Sequence, residues 1–371
     1  GSNSTLSILS DPNKPAQWNF DGYNLALHVE SFGEAVRFNA ASLTLTNGPA
    51  IPQFAIYSGG AYPIYMSIAG DITVNTAGLL TSVGGLLDLQ VSGAIISTNS
   101  RANYLITPTG RATVRISARR FLILQPFVSV LGTVASNVTI NIQEDFFIAR
   151  STAVASNFWA FELASGFNVS ITAGYLYISG FQTSNTGGGA VTLTSSSLAI
   201  SANSILFEDN IAFDYGGAIS VYGTSSLNLT ASDYIEFRRN TAGTRGGAIL
   251  ADPGTSVTIS APNVTFASNQ APSGAALFID PYHAAAFSTA SFVNNSATSN
   301  CIVSFTGNGC TAFSTTGFVS GNRMNTAAGN STCVVNEPLC SLTSTFGGQI
   351  QLETFSTADC SGTPFTGPTL L

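Results

Sequence analysis

Phe207-Glu208-Asp209-Asn210 followed by Gly216-Gly217-Ala218-Ile219, then Phe237-Arg238-Arg239-Asn240 followed by Gly246-Gly247-Ala248-Ile249, is the stretch that decides the fold. An altered copy runs Phe266-Ala267-Ser268-Asn269 with Gly274-Ala275-Ala276-Leu277, and a half copy closes at Phe292-Val293-Asn294-Asn295. The four phenylalanines stand 30, 29 and 26 residues apart. A period near thirty marks a stacked array in which each copy buries its apolar face against its neighbours.

Between the two signatures the residues alternate apolar and polar, as in Leu227-Asn228-Leu229-Thr230 and Val257-Thr258-Ile259-Ser260. That period belongs to strands, not helices. Short strands joined by turns, stacked about 4.8 Å apart, make a parallel β-helix. In this geometry Phe fills the interior and the chain turns two residues later. Asn side chains of successive coils then pair as a ladder, and Gly-Gly permits a sharp corner at positive φ.

Outward from this stretch a softer repeat continues in both directions. It reads Leu43-Thr44-Leu45-Thr46, Ile72-Thr73-Val74-Asn75, Leu87-Asp88-Leu89-Gln90, Val114-Arg115-Ile116-Ser117, Val138-Thr139-Ile140-Asn141, Val169-Ser170-Ile171-Thr172 and Leu198-Ala199-Ile200-Ser201 before reaching Leu227 and Val257. From Val138 onward the starts are 31, 29, 29 and 30 residues apart, whereas Ile72 and Leu87 are separated by 15. Either the early coils vary in length or one of these strands lies on another face. The expected fold is therefore all-β, a single-stranded right-handed parallel β-helix of about nine coils of ~29 residues over 43–296. Residues 1–42, with Trp18 as an apolar anchor, are expected to cap the first coil, because an open end exposes unpaired backbone. Residues 297–371 hold all five cysteines, Cys301, Cys310, Cys333, Cys340 and Cys360. Their clustering points to a disulfide-stapled region and an oxidising compartment, with connectivity open.

The paired signatures FxxN and GGA[ILV] resemble the repeats of the chlamydial polymorphic outer-membrane proteins, found also in surface proteins of algae and other protists. The full pair matches at 207–219 and 237–249, with Ala275 in place of the second Gly in the third copy. The resemblance implies a parallel β-helix, exposure at a cell surface and an adhesive role.

Only 8% of residues are charged, Lys14 is the sole lysine, and the net charge is −7. Nucleic acid is excluded as a partner, since phosphate neutralisation needs clustered Lys and Arg. The most apolar run, Phe121 to Ala135, contains Gln125 and Pro126 and is too short to span a bilayer. With no CxxC and only His28 and His283, neither zinc nor another metal or cofactor is expected. Sequons stand at Asn3, Asn137, Asn168, Asn228, Asn263, Asn294 and Asn330, candidates for glycosylation that fit secretion.

Alignment of the FxxN coils places Glu208 beside Arg238 and Asp209 beside Arg239, with Asp214 and Arg245 ahead of the Gly-Gly corners. One reading makes this a charged groove of a polysaccharide lyase or hydrolase. The other makes it a cross-strand ion-pair ladder, favoured because arginines match the carboxylates and leave none to act as general acid or base or to hold calcium. The outward Thr and Ser of the softer repeat suggest a third role, ice or crystalline-glycan binding. Taken together, the residues lead to the expectation of a secreted or cell-surface, non-catalytic structural or adhesive protein. Its partners would be glycans, other surface proteins or further copies of itself.

Overall fold

The computed structural model describes residues 17–20, 27–31, 36–45, 54–60, 63–74, 78–98, 104–109, 111–124, 129–132, 136–150, 159–184, 187–279, 284–287 and 290–298, together with short strands at 303–305, 319–320, 323–324, 334–335, 342–346 and 349–353. Every regular element among them is a β-strand. Apart from one antiparallel pair at Leu342–Phe346 and Gln349–Glu353, the strands pair in parallel. The chain is a β-solenoid.

One coil shows how the sequence closes. The strand Ser226–Arg238 places Leu227, Leu229 and Ala231 inside. At Ser232 and Asp233, both exposed, the phase resets, and Ile235 and Phe237 point inward from a second face. The chain then turns into the two-residue strand Thr241–Ala242, rounds the Gly246-Gly247 corner and lays Ile249–Ala251 on a third face before Ser256 begins the next coil. First and second faces share a 19-stranded sheet, the third face forms a 12-stranded sheet, and the two-residue strands form a 6-stranded one.

Because register holds from coil to coil, like residues stack on like. Phe207 pairs with Phe237, Phe237 with Phe266, and Phe266 with Phe292. Their ring centroids are 5.3, 5.0 and 5.2 Å apart and nearly parallel, close to the spacing of the strands themselves. Asn210, Asn240, Asn269 and Asn295 are fully buried beside them. Each Nδ2 donates to the Oδ1 of the next asparagine, at 2.9, 3.1 and 3.0 Å along the column. The same Oδ1 also accepts the preceding asparagine's backbone N–H. The second Nδ2 proton goes back to a carbonyl of the preceding coil: Asn240 to Phe207, Asn269 to Phe237 and Asn295 to Phe266. A side chain with two donors and a double acceptor thus satisfies a corner where the strand ladder is interrupted.

The Gly-Gly corner divides its work between the two residues. Gly216 and Gly246 take φ of 57° and 67°, the left-handed region open to glycine. Gly217 is needed for space, since a Cβ there would sit 2.1 Å from the carbonyl oxygen of Gly247.

Two expectations are corrected. Parallel pairing extends beyond 43–296, for Gln17–Phe20 pairs with Ser42–Leu45 and Val303–Phe305 with Val334–Val335, and the coil count departs from nine. The strands of the softer repeat do not all stand on one face either. Thr44 and Thr73 belong to the second face, where Thr73 pairs with Ile96. On the first face the column runs Tyr65, Asp88, Arg115, Thr139, Ser170, Ala199, Asn228 and Thr258. The 15-residue interval separates two faces, because Ile72 and Leu87 start strands on different sides of the solenoid.

Replacing Asn240 with Ala orphans the Phe207 carbonyl and the Asn210 donors in a dry corner. At roughly 1–3 kcal/mol per orphaned group, a loss of at least about 3 kcal/mol is expected from urea unfolding. Asn228→Ala, on the exposed first face, should change stability by less than about 0.5 kcal/mol. Equal effects of the two substitutions would contradict the ladder's role.

Candidate functional site

The charged residues singled out in the repeat meet at the corner between the second face and the two-residue strands. Glu208 and Arg238 are register partners on neighbouring coils. Asp209 and Arg239 follow them at φ of 55° and 54°, a left-handed turn that swings both side chains across the corner. Ser268 and Asn294 repeat this conformation, and Gly180 begins the column.

Glu208 is buried, and both carboxylate oxygens are engaged. Oε1 accepts from Arg238 Nε and Nη2, each at 2.6 Å, and from Arg239 Nη2. Oε2 accepts the hydroxyl of Tyr177 at 2.8 Å, from the coil before. Arg239 also forms a two-point contact with Asp209, Nε to Oδ1 at 2.8 Å and Nη2 to Oδ2 at 2.9 Å. The hydrogen bonds from Arg239 to Asp209 raise its guanidinium pKa further. Glu236 lies 3.7 Å from Arg238 Nη1. The cluster therefore ties three successive coils together and leaves the outer edges of two guanidinium groups exposed.

Asp214 and Arg245 are brought close by backbone only. The Asp214 carbonyl accepts from the backbone N–H of Thr244 and of Arg245, while the Arg245 guanidinium lies 4.8 Å over the ring of Phe278. Among the described residues no ion pair joins the Asp214 and Arg245 side chains, so the expected charged groove contracts to Glu208, Asp209, Arg238 and Arg239.

Tyr177 is the member that motif reading misses. Its coil has Phe181 where later coils have the ladder asparagine, so an alignment on FxxN begins one coil too late. The signal available was its place immediately before Ile178, itself one coil below Phe207. Burial pushes the phenols of Tyr175 and Tyr177 above the ordinary range, with the Glu208 carboxylate adding to the effect. Burial also pushes Tyr222 up to about 12.

Asn137, Asn168, Asn228, Asn263 and Asn294 are all exposed, and Asn137 and Asn168 are direct register neighbours. Asn3, Asn330, His283 and the five cysteines lie outside the described residues. No group of three or more His, Cys, Asp or Glu side chains suited to a metal ion occurs among the described residues. No helix among them is long and apolar enough to cross a membrane.

Comparisons with protein families, curated proteins and solved structures return no match.

The tyrosines fix the sign of an alkaline transition. Their folded pKa values exceed the unfolded value of about 10, so the folded chain retains protons that the unfolded chain releases. That stabilisation is complete below pH about 10 and falls away as pH rises through the folded values, Tyr222's being about 12. The phenolate absorbance of Tyr175, Tyr177 and Tyr222 should rise late and together with loss of β-sheet circular dichroism. Full titration of every tyrosine near pH 10 in a folded chain would contradict this. Glu208→Gln should cost about 1–2 kcal/mol in urea unfolding, because its arginine partners are half exposed and solvent-screened.

Proposed function

We propose that the chain is a secreted or surface-displayed, non-catalytic structural and adhesive solenoid, serving as a module of a cell wall, an extracellular filament or an adhesin. The observation that carries this reading is the engagement of the Glu208 and Asp209 carboxylates. Each is bound by arginine, and Glu208 by Tyr177 as well. A general acid or base must reach a substrate proton, and these oxygens are already held by donors from the protein itself.

Three further features support it. The first face presents Ser, Thr and Asn to solvent at Thr139, Ser170, Thr172, Asn228 and Thr230, groups suited to hydrogen bonding with glycans or other surface proteins. The exposed sequons fit passage through a glycosylating secretory route, with glycans at Asn137, Asn168, Asn228, Asn263 and Asn294. The FxxN and GGA[ILV] signatures resemble repeats of surface adhesins, and the buried Phe and Asn explain why such signatures recur wherever this corner is built.

The test uses the full chain made in a secretory eukaryotic host, applied to a glycan array and to a panel of soluble polysaccharides. Retention on an array ligand without release of reducing ends is expected, with Arg238→Ala still bound to the array. Polysaccharide cleavage by the wild-type chain that Asp209→Asn abolishes would overturn the proposal and restore the lyase or hydrolase reading. Mass spectrometry of the same material should find glycans on the exposed sequons.

A further inference from the structure

Two columns beyond the asparagine corner break their own rule in one coil. Along the outward side of the short strands stand Gln182, Ile211, Thr241, Gln270 and Ser296, polar in every coil but one. Two residues further on, Phe213 lies between Ser184 of the coil before and Gly243 of the coil after. Both exceptions fall in the same coil and face solvent: Phe213 is 65% exposed and Ile211 39%, while Ala212 between them is buried. The architecture requires neither, since neighbouring coils build the same corner with Gln, Thr, Ser and Gly. Departures from a local rule that the fold does not need are where function is expected.

Size and charge identify what fits this corner. A Cβ at Gly243 would lie 1.8 Å from the Phe213 carbonyl oxygen, so the following coil sets no side chain over the ring. The rim holds the uncharged Gln182 and Thr241 beside Ile211, and one carboxylate, the half-exposed Asp214. Among the described residues the Asp214 side chain has no hydrogen-bond or ion-pair partner. A standard protein interface buries about 800 Å² per partner, and two apolar side chains supply no such core. Asp214 repels phosphate, sulfate and uronate groups, while Glu208 and Asp209 are already matched by arginine. A neutral pyranose meets the remaining description. It is comparable in size to one phenyl ring, its C–H face is attracted to the negative π-face of an aromatic, and its hydroxyls donate to a carboxylate.

We propose that Phe213, Ile211 and Asp214 form a subsite for one neutral pyranose of a glycan. Phe213 takes the apolar face of the sugar, Ile211 packs against its edge, and Asp214 accepts hydrogen bonds from its hydroxyls. Gln182 and Thr241 complete the rim. The subsite deepens the reading of the chain as an adhesive solenoid, on which it rests, by assigning that role a ligand class and a place. One such platform binds weakly, and strength at a surface comes from many copies engaging one polymer.

The test is retention of the full chain, made in a secretory eukaryotic host, on an array of neutral, sulfated and uronate-bearing glycans. Wild type should be retained on neutral glycans. Phe213→Ala should lower retention at least about tenfold and Phe213→Tyr should keep it. Both should leave the thermal midpoint unchanged, because the side chain is exposed. Asp214→Asn should weaken retention several-fold, since an amide accepts less strongly than a carboxylate. Equal retention of wild type and Phe213→Ala, or retention confined to sulfated or uronate-bearing glycans, overturns the subsite and leaves the adhesive reading standing. A wild-type chain retained on no glycan overturns the adhesive reading and the subsite with it.

Discussion

The coils from Phe207 to Ala297 depend on the buried asparagine ladder from Asn210 to Asn295. A parallel solenoid must turn its chain sharply several times per coil, and at each turn backbone groups leave the ladder while remaining out of water. Asparagine resolves this at one corner because its amide can accept from the coil below, donate to the coil above and return a second proton to a carbonyl. Each bond is ordinary in length, between 2.8 and 3.2 Å across Asn210, Asn240, Asn269 and Asn295 apart from one of 3.3 Å to Ile178. Its strength comes from repetition in a dry, low-dielectric column, where neighbouring bonds polarise one another.

Once the corner is held, the rest of the coil follows. Phe207, Phe237, Phe266 and Phe292 are fixed three residues before it and stack face to face. The residue directly before each asparagine is forced into the left-handed region, at Asp209, Arg239, Ser268 and Asn294. That conformation is costly for a residue with a side chain and persists only where the surroundings over-determine it. Arg239 illustrates the compensation, since the same turn delivers its guanidinium to Asp209 and Glu208. The ion-pair cluster is thus a consequence of the corner, and its chemistry is directed inward to the fold.

How much could be read beforehand depended on whether a residue type has one physical role. Buried Phe, ladder Asn and the glycines of the corner recur because no other residue does their work as well, and alignment on them also paired Glu208 with Arg238 and Asp209 with Arg239. The left-handed column was hidden, because Arg239 and Ser268 are poor advertisements for positive φ although Gly180 and Asn294 are good ones. The first half resisted for a different reason. Apolar–polar alternation is identical on the first and second faces, so Ile72 and Leu87 look alike while standing on different sides. Arg245 was placed near Asp214 by turn length alone, and its guanidinium lies over the ring of Phe278.

Among the described residues, the surface left free by these constraints includes the hydroxyl and amide column of the first face and the two arginine edges at the corner. Both are available only while the coils remain in register, and register at this corner is held by the asparagines. The most direct test is hydrogen exchange of the Asn240 and Asn269 side-chain amides, followed by nuclear magnetic resonance on asparagine-labelled protein. The account predicts that both exchange as slowly as the backbone amides of the adjoining strands, through the same opening events. Exchange at the rate of a solvent-exposed asparagine, in a chain whose strand amides remain protected, would contradict it.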